Sequence, residues 1–236
     1  MTLTLYIGNK NYSSWSMRTG VLMRELGLPF EEKLLRFDSF KAGSAFARAV
    51  AKLGAAGKVP VLIDDRDDGL AVWDTLAITE TLHEKFPAAG VWPADSTSRA
   101  RARSLCAEMH SGFSALRSAC PMNIEASLPN TGARIWAEQA AVRQDVQRIE
   151  QLFADALAAS GGPMLFGAFS AADAFFAPVC MRLRSYVLPV SEGTRAYVDR
   201  LVARSGVVHW VNAALAEQDY VEEDEPYRKS RSEPEH

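Results

Sequence analysis

The stretch that decides the fold is "GKVPVLIDDRDDGLAVWDTLAI", residues 57–78. Two β-rich runs, residues 59–64 and 70–73, flank the segment DRDDG, a combination that is typical of a β-hairpin. Asp74 and Thr75 then precede a run with helical periodicity, so we expect one of them to cap a helix. The stretch therefore predicts two antiparallel strands followed directly by a helix.

The residues before this hairpin predict a strand, a helix and a second strand. Residues 3–7 and 30–37 are rich in β-forming side chains, and residues 19–26 between them have helical periodicity. Residues 40–53 predict a further short helix. The chain up to residue 87 is thus expected to follow the order β-α-β-α-β-β-α, with a parallel first pair and a right-handed crossover.

The character of the sequence changes after this first unit. Residues 88–98 contain proline, glycine and small polar side chains, which is typical of a linker. Residues 99–236 show helical periodicity and no convincing strand, and residues 135–153 predict one long helix. We therefore predict an α/β + all-α protein, with residues 1–87 as its first domain. The charged tail that begins at Val221 is expected to be mobile at its end.

Composition excludes several classes of function. The 236 residues carry a formal charge of −3 and a sequence pI of about 5.9, which argues against nucleic acid as the main partner. Three cysteines without a CxxC pattern indicate free thiols in a reducing compartment and no metal-binding spacing. Without a signal peptide or an apolar run of roughly 20 residues, we expect a cytoplasmic protein and no membrane.

Two features of the opening stretch could form a binding site. A cis peptide bond before Pro60 would turn the backbone N–H and C=O of Val59 towards a cleft, whereas a trans proline would indicate only an edge strand. The start of the helix at Thr75 could hold a carboxylate while Asp74 pairs with an ammonium group, as an α-amino acid end requires. The alternative is simple helix capping by Asp74 or Thr75.

A third motif, "NYSSWSMR" at residues 11–18, lies where the first strand passes into a helix. Together with "KVPVL" at 58–62, "WDTLAI" at 73–78 and "FSAADAFFAPV" at 169–179, it resembles the cytosolic glutathione S-transferase family, in its bacterial form. The motif "NYSSWSMR" is most similar to the zeta class, whose pattern is S-S-C-S-W-R. The resemblance spans nearly the whole chain.

The resemblance implies a thioredoxin-like glutathione-binding domain followed by an all-helical domain, a homodimer, glutathione as co-substrate and no metal. Ser13 is the matched catalytic serine, with Ser14 beside it as the alternative. Glutathione binding is implied for Trp15, Lys58, Val59, Asp74 and Thr75, and a structural cis bond for Pro60. The function that follows is a transferase that adds glutathione to a small electrophile.

The chemistry required of such a serine is the stabilisation of a thiolate at neutral pH. A hydroxyl in the first turn of a helix can donate its proton to sulfur while the helix N-terminus adds partial positive charge. No histidine is placed by the sequence as a general base for either serine, so a nucleophilic serine is disfavoured.

Departures from the family pattern leave alternatives open. Trp15 replaces the zeta-class cysteine, which puts isomerisation of the maleylacetoacetate type in doubt, and a non-catalytic glutathione-binding module is also possible. His83 and His110 are expected to be surface or packed residues rather than ligands. Arg182 and Arg184 are either ordinary helix-surface residues or contacts for an acidic co-substrate.

Overall fold

The structure is a computed structural model that describes residues 3–54, 57–65, 68–232 and 235. Part of the predicted loop at 55–56, part of the hairpin turn at 66–67 and most of the last four residues of the tail lie outside the described residues. Within the described part of the chain, no helix combines the length and apolarity needed to cross a membrane.

Among the described residues, four strands form one mixed sheet in the order β2-β1-β3-β4. The strands are β1 (Leu3–Ile7), β2 (Phe30–Leu34), β3 (Val61–Asp64) and β4 (Leu70–Trp73). β1 is parallel to β2 and antiparallel to β3, which is antiparallel to β4. The predicted strands, the hairpin pairing and the parallel first pair are therefore confirmed.

Strand β2 ends three residues earlier than the predicted end at Phe37. The backbone N–H of Phe37 donates to Asn9 Oδ1 over 2.7 Å instead of continuing the ladder with β1. This bond draws the end of the segment towards the loop that follows β1, and the Phe37 ring lies against Gly8. A Cβ at Gly8 would lie 2.1 Å from Cζ of Phe37, so this approach requires glycine.

Three helices complete the first unit, namely α1 (Ser14–Glu25), α2 (Ala45–Ala51) and α3 (Thr75–Lys85). Helix α2 is shorter than the predicted range of 40–53. The carboxylate of Asp38 accepts hydrogen bonds from the backbone N–H groups of Ala45 and Phe46, and Ser44 caps the helix. The side chains of Asp38 and Ser44 thereby fix the start of α2 at Ala45.

The remaining chain is helical, as predicted. Its helices are α4 (Ser96–Ser111), α5 (Ser114–Ala119), α6 (Pro129–Glu138), α7 (Ala140–Ser160), α8 (Ala171–Ser185), α9 (Glu192–Val202) and α10 (Ser205–Glu217). Helix α4 begins at Ser96, so the last three residues of the predicted linker are helical. The buried "FSAAD" segment caps α8 through a capping box formed by Ser170 and Asp173.

The prediction of one long helix over residues 135–153 is wrong. Gln139 has an extended backbone with φ −110° and ψ 93°, and it separates α6 from α7. Arg143 donates to the carbonyl oxygen of Ala137 over 3.1 Å, which satisfies an acceptor at the end of α6. The apolar periodicity continues across the break because both helices turn a face to the same core.

Helices α8 and α10 connect the helical part to the sheet domain because both pack on α1. A Cβ at Gly20 of α1 would lie 2.3 Å from Cζ3 of Trp210, which is buried on α10. Trp210 Nε1 also donates to the carbonyl of Lys10 over 3.1 Å. This close packing fixes the loop before α1, and with it the start of α1, against the helices.

Candidate functional site

A cavity of about 740 Å³ lies where the start of α1 meets helices α5 and α8. Several residues predicted for the site line it, namely Ser13, Ser14, Trp15, Lys58 and Val59. Pro60, Asp74 and Thr75 lie outside the lining. The structure therefore brings the motifs "NYSSWSMR" and "KVPVL" to one cavity and places the motif "WDTLAI" beside it.

The hydroxyl of Ser13 is already engaged in hydrogen bonds. Ser13 caps α1, where its Oγ accepts from the N–H of Ser16 over 3.4 Å and donates to Ser16 Oγ over 2.7 Å. Ser16 Oγ in turn accepts from the backbone N–H of Gly8 over 3.1 Å. The hydroxyl proton of Ser13 is therefore used in a buried series of hydrogen bonds that links α1 to the end of β1.

Ser14, the first residue of α1, differs from Ser13 in that its side chain is available. Ser14 is 8% exposed and lines the cavity, and no hydrogen bond among the described residues uses its hydroxyl. The backbone N–H of Trp15 likewise has no acceptor in this part of the chain, and the first turn of α1 contains no acidic residue. An anion at this end of the helix would meet the free Ser14 hydroxyl and the unpaired N–H of Trp15.

The peptide bond between Val59 and Pro60 is cis, as predicted from the sequence. Pro60 is buried immediately before β3, whereas Val59 lines the cavity. Among the described residues, the backbone N–H and C=O of Val59 make no hydrogen bond. Val59 can therefore pair its backbone with an extended ligand.

Asp74 and Thr75 of the motif "WDTLAI" form a compact polar group with His110 of α4. Asp74 Oδ1 caps α3 by accepting from the N–H of Leu76 over 2.8 Å, while Oδ2 lies 3.2 Å from His110 Nε2. Thr75 is buried, and its Oγ1 lies 3.4 Å from His110 Nδ1. Burial lowers the pKa of His110, which favours a neutral ring that donates to Asp74 and accepts from Thr75.

The backbone of Asp74 supports more than a capping role. Its φ of 73° lies in the left-handed region, which residues other than glycine rarely adopt. Such a conformation costs about 1–3 kcal/mol and is concentrated at ligand-binding and catalytic sites. Capping alone does not require it, since an ordinary cap has an extended backbone.

His110 also links this polar group to the cavity. Its ring lies edge-on to the Trp15 ring, with 4.9 Å between centroids. The helical spacing that predicts a packed histidine is consistent with this position, but it does not reveal that Asp74, Thr75 and Trp15 are the neighbours. These contacts cross 35 or more residues of sequence, so local pattern gives no signal for them.

The charged tail contributes to the site through Tyr12. The Tyr12 hydroxyl donates to Glu225 Oε1 over 2.7 Å, and Glu225 pairs with Nε of Arg228 over 3.0 Å. Burial, followed by the bond and charge of Glu225, raises the pKa of Tyr12. Tyr12 is thus not an available donor for a ligand, and Asp224 of the same segment lines the cavity. Residues 221–232 of the tail pack against the protein, and most of its end, where the sequence predicts mobility, lies outside the described residues.

Asp224 makes stability depend on pH. Burial, then the charges of Glu223 and Glu225, raises its pKa to about 6. The folded state therefore holds the proton more tightly than the unfolded chain, so ionised Asp224 destabilises the fold most above pH 6. We expect Asp224→Asn to raise Tm at pH 7.5, and to raise it less at pH 5.0. Glu222→Gln, at an exposed neighbour, is the matched control; an equal gain at both pH values would contradict this assignment.

Three arginines surround Trp15 and the cavity. Cζ of Arg18 lies 4.1 Å from the centroid of the Trp15 ring, and Cζ of Arg117 lies 4.9 Å from it. Arg182 is only 4% exposed and lines the cavity together with Arg117, whereas Arg184 is exposed. The prediction that Arg182 is an ordinary helix-surface residue is therefore wrong. Arg184, in contrast, is an ordinary helix-surface residue.

No side chain of the described residues offers an obvious metal or thiol centre. Within this part of the chain, no group of three or more His, Cys, Asp or Glu could hold a metal ion. Cys106, Cys120 and Cys180 are free and buried, and burial raises the pKa of the Cys120 thiol to about 12. Any thiolate chemistry at this cavity would therefore need a thiol from a ligand.

Residues 12–85 match the family model for "Glutathione S-transferase, N-terminal domain", which covers the chain from the start of α1 to the end of α3. Among curated proteins, no sequence matches the chain.

Solved structures resemble the chain over most of its length. A glutathione transferase homologue from Burkholderia gl BGR1 with bound glutathione is 26% identical, with a TM-score of 0.67 over 91% of this chain and 98% of that one. A glutathione transferase from Methylococcus capsulatus is 22% identical, with a TM-score of 0.65 over 91% and 99%. A Tau class glutathione S-transferase from mango, Mangifera indica, is 17% identical, with a TM-score of 0.67 over 92% and 97%. The chain has the glutathione transferase fold, a thioredoxin-like domain followed by helices.

Proposed function

We propose that this protein is a glutathione transferase that activates the glutathione thiol with the hydroxyl of Ser14. The observation that carries the proposal is the free Ser14 hydroxyl at the start of α1, on the same cavity as the unpaired backbone of Val59. Ser13 is the sequence-matched serine, but its proton is held by Ser16. Ser13 therefore positions α1, and Ser14 contacts sulfur.

The surrounding residues match the chemical groups of glutathione. The backbone of Val59 pairs with the cysteinyl unit, and Lys58 at the cavity reaches the glycyl carboxylate. Asp74 pairs with the γ-glutamyl ammonium group, and the start of α3 with Thr75 holds its carboxylate. Trp15 separates the sulfur position from His110. The match of residues 12–85 and the glutathione bound in the Burkholderia homologue support this placement.

The energy needed for thiolate formation is within reach of this site. Lowering a thiol pKa from about 8.5 to about 6.5 requires roughly 2.7 kcal/mol of preference for the anion. A helix N-terminus supplies about 0.3–1 kcal/mol, and a hydrogen bond to a charged group about 1.5–3 kcal/mol. The Ser14 hydroxyl and the start of α1 together suffice, whereas neither does so comfortably alone.

The reaction follows from these roles. The thiol proton passes to solvent, and Ser14 donates a hydrogen bond to the remaining thiolate. The thiolate then forms a carbon–sulfur bond with an electrophile in the cavity, and a leaving group departs with the electron pair of the bond that breaks. No metal is required for this step.

We place the protein nearest to the zeta class by its motif, while excluding the isomerase reaction of that class from the proposal. Ser13, Ser14, Ser16 and Arg18 keep the order of the zeta pattern. Trp15 stands at the position of its cysteine and fills the space beside His110. Loss of that thiol and the added bulk favour transfer over isomerisation.

The proposal includes a homodimer in the cytoplasm. Strand β4 is an edge of the sheet, and its Leu70 and Trp73 are 48% and 46% exposed, which suits a subunit contact. The molar mass from light scattering in solution tests this part, since a monomer would refute it.

Titration calorimetry and a conjugation assay test the function. We expect both glutathione and S-methylglutathione to bind, because the methyl group leaves the contacts to Val59 and Asp74 intact. Glutathione should bind more tightly as the pH rises above about 6.5, because only its sulfur can ionise. We also expect glutathione to be conjugated to 4-(chloromethyl)benzamide faster than in the uncatalysed reaction. Binding without conjugation, and with an unshifted thiol pKa, would indicate the binding module instead; absence of binding would refute both.

A further inference from the structure

The cavity contains more positive charge than glutathione binding requires. Arg117 and Arg182 line it, and Arg18 lies directly behind Trp15 with 1% of its surface exposed. Among the described residues, Nε and Nη1 of Arg18 have no hydrogen-bond partner, and none of the three forms an ion pair with a carboxylate. Buried guanidinium groups are normally paired with carboxylates, so this arrangement is unusual.

The three guanidinium groups also act on one another. Burial lowers the pKa of Arg18 to about 9, and the charges of Arg117 and Arg182 contribute to that decrease. Burial and Arg117 together lower the pKa of Arg182 to about 10. All three remain charged at neutral pH, so the fold holds mutually repelling cations that a bound anion would stabilise.

Part of this charge is available to a ligand. Arg182 donates from Nε to the carbonyl of Cys120 over 2.8 Å and from Nη1 to that of Pro178 over 3.3 Å. No hydrogen bond within the described residues uses its Nη2. Among the same residues, Arg117 donates only through Nη1, to the carbonyls of His110 and Gly112. Asp224 is the one carboxylate on the described lining, and a single such group does not balance these arginines.

The lining of the cavity also contains an aromatic cluster. Phe37, Phe40 and Phe46 all line it, and their rings pack edge-on with centroid distances of 4.8–6.2 Å. They belong to the segment after β2, whereas the arginines belong to α5 and α8. A ligand in the cavity can therefore contact both apolar ring edges and guanidinium groups.

We propose that the electrophilic co-substrate is an aromatic or similarly flat apolar compound that carries a carboxylate, which Arg117 and Arg182 bind. This inference rests on the proposed function, because it assigns the second substrate of the same site. Arg18 does not touch the substrate in this arrangement; it holds the Trp15 ring and adds positive potential. A neutral electrophile of the same shape would leave the arginines unpaired.

A matched pair of probes tests the inference without turnover. Calorimetry with S-methylglutathione bound should give at least about tenfold tighter binding of 4-methylbenzoate than of its neutral isostere 4-methylbenzamide. The same preference should appear in the conjugation rates of 4-(chloromethyl)benzoate and 4-(chloromethyl)benzamide. In both reactions sulfur bonds to the benzylic carbon as the carbon–chlorine bond breaks and chloride leaves with the electron pair.

Matched variants show which arginines cause the preference for benzoate over benzamide. Arg182→Gln and Arg117→Gln should each reduce the benzoate-to-benzamide ratio about tenfold, and Arg117→Lys should retain more of it. Arg184→Gln, two residues along the same helix at an exposed position, should keep the wild-type ratio. If Arg182→Gln does not fold, the two Arg117 variants decide the matter, since Arg117 is only partly buried.

The outcomes separate the two proposals. Equal binding of benzoate and benzamide to the wild-type protein would overturn the inference, even if glutathione binds and is conjugated. A preference for benzoate that survives both arginine substitutions would also overturn it. If glutathione does not bind but the benzoate preference is present and lost in the variants, the proposed function fails and the anion-binding site stands.

Discussion

Replacing Ser14 by alanine should lower kcat/KM for conjugation by about 10- to 150-fold. The substitution removes a hydrogen bond to the thiolate that contributes about 1.5–3 kcal/mol, and each 1.36 kcal/mol corresponds to a factor of ten. The fold should be little affected, because the Ser14 hydroxyl makes no hydrogen bond among the described residues. The rate should recover at high pH, where glutathione ionises without help.

Ser13→Ala is the matched comparison for this experiment. Ser13 caps α1, and loss of such a cap costs about 0.5–2 kcal/mol of stability. We therefore expect a lower urea midpoint and a smaller change in kcat/KM than for Ser14→Ala. If Ser13→Ala instead caused the larger loss of activity at unchanged stability, the two serines would have to exchange roles. The double variant shows whether one hydroxyl replaces the other.

Replacing Asp74 by asparagine should weaken glutathione binding about tenfold while leaving the protein as stable as before. Asparagine caps a helix as well as aspartate does and tolerates the left-handed backbone, so the start of α3 should be retained. The change removes the negative charge that pairs with the γ-glutamyl ammonium group, and the partly exposed position limits the effect. Calorimetry with glutathione measures the affinity, and thermal unfolding measures the stability.

Asp95→Asn is the control for Asp74. Asp95 caps α4 in the same way, with its side chain accepting from the N–H of Ser98 over 2.7 Å. It has an extended backbone and does not line the cavity, so its substitution should not change glutathione affinity. Equal affinities for wild type and Asp74→Asn would show that Asp74 is only a helix cap.

The sequence predicts the sheet domain well because its signals are local. The β-rich runs, the hairpin turn residues and the proline before β3 each lie within a few residues of the structure that they specify. The cis bond at Pro60, which the local residues left open and the family resemblance implies, is present in the structure. The ends of elements are predicted less well, because side chains distant in sequence decide where an element stops, as Asn9 does for strand β2 by accepting from Phe37.

The contacts of the site that cross between the two parts of the chain could not be predicted in this way. His110 reaches Asp74 and Trp15, and Arg182 approaches the cavity, only after α8 packs on α1 and α4 packs on α8 and α3. Tyr12 is occupied by Glu225 from the far end of the chain. The choice between Ser13 and Ser14 likewise depends on which hydroxyl Ser16 engages, which spacing alone does not determine.

The most direct test is a titration of the thiol in the complex with glutathione. Thiolate absorbance in the ultraviolet, measured against pH with S-methylglutathione as the blank, gives the pKa of the bound thiol. We predict a value of about 6.5 for the wild-type protein and one that is about 1–2 units higher for Ser14→Ala. A pKa that stays near 8.5 in the wild-type complex would contradict thiolate activation at the start of α1.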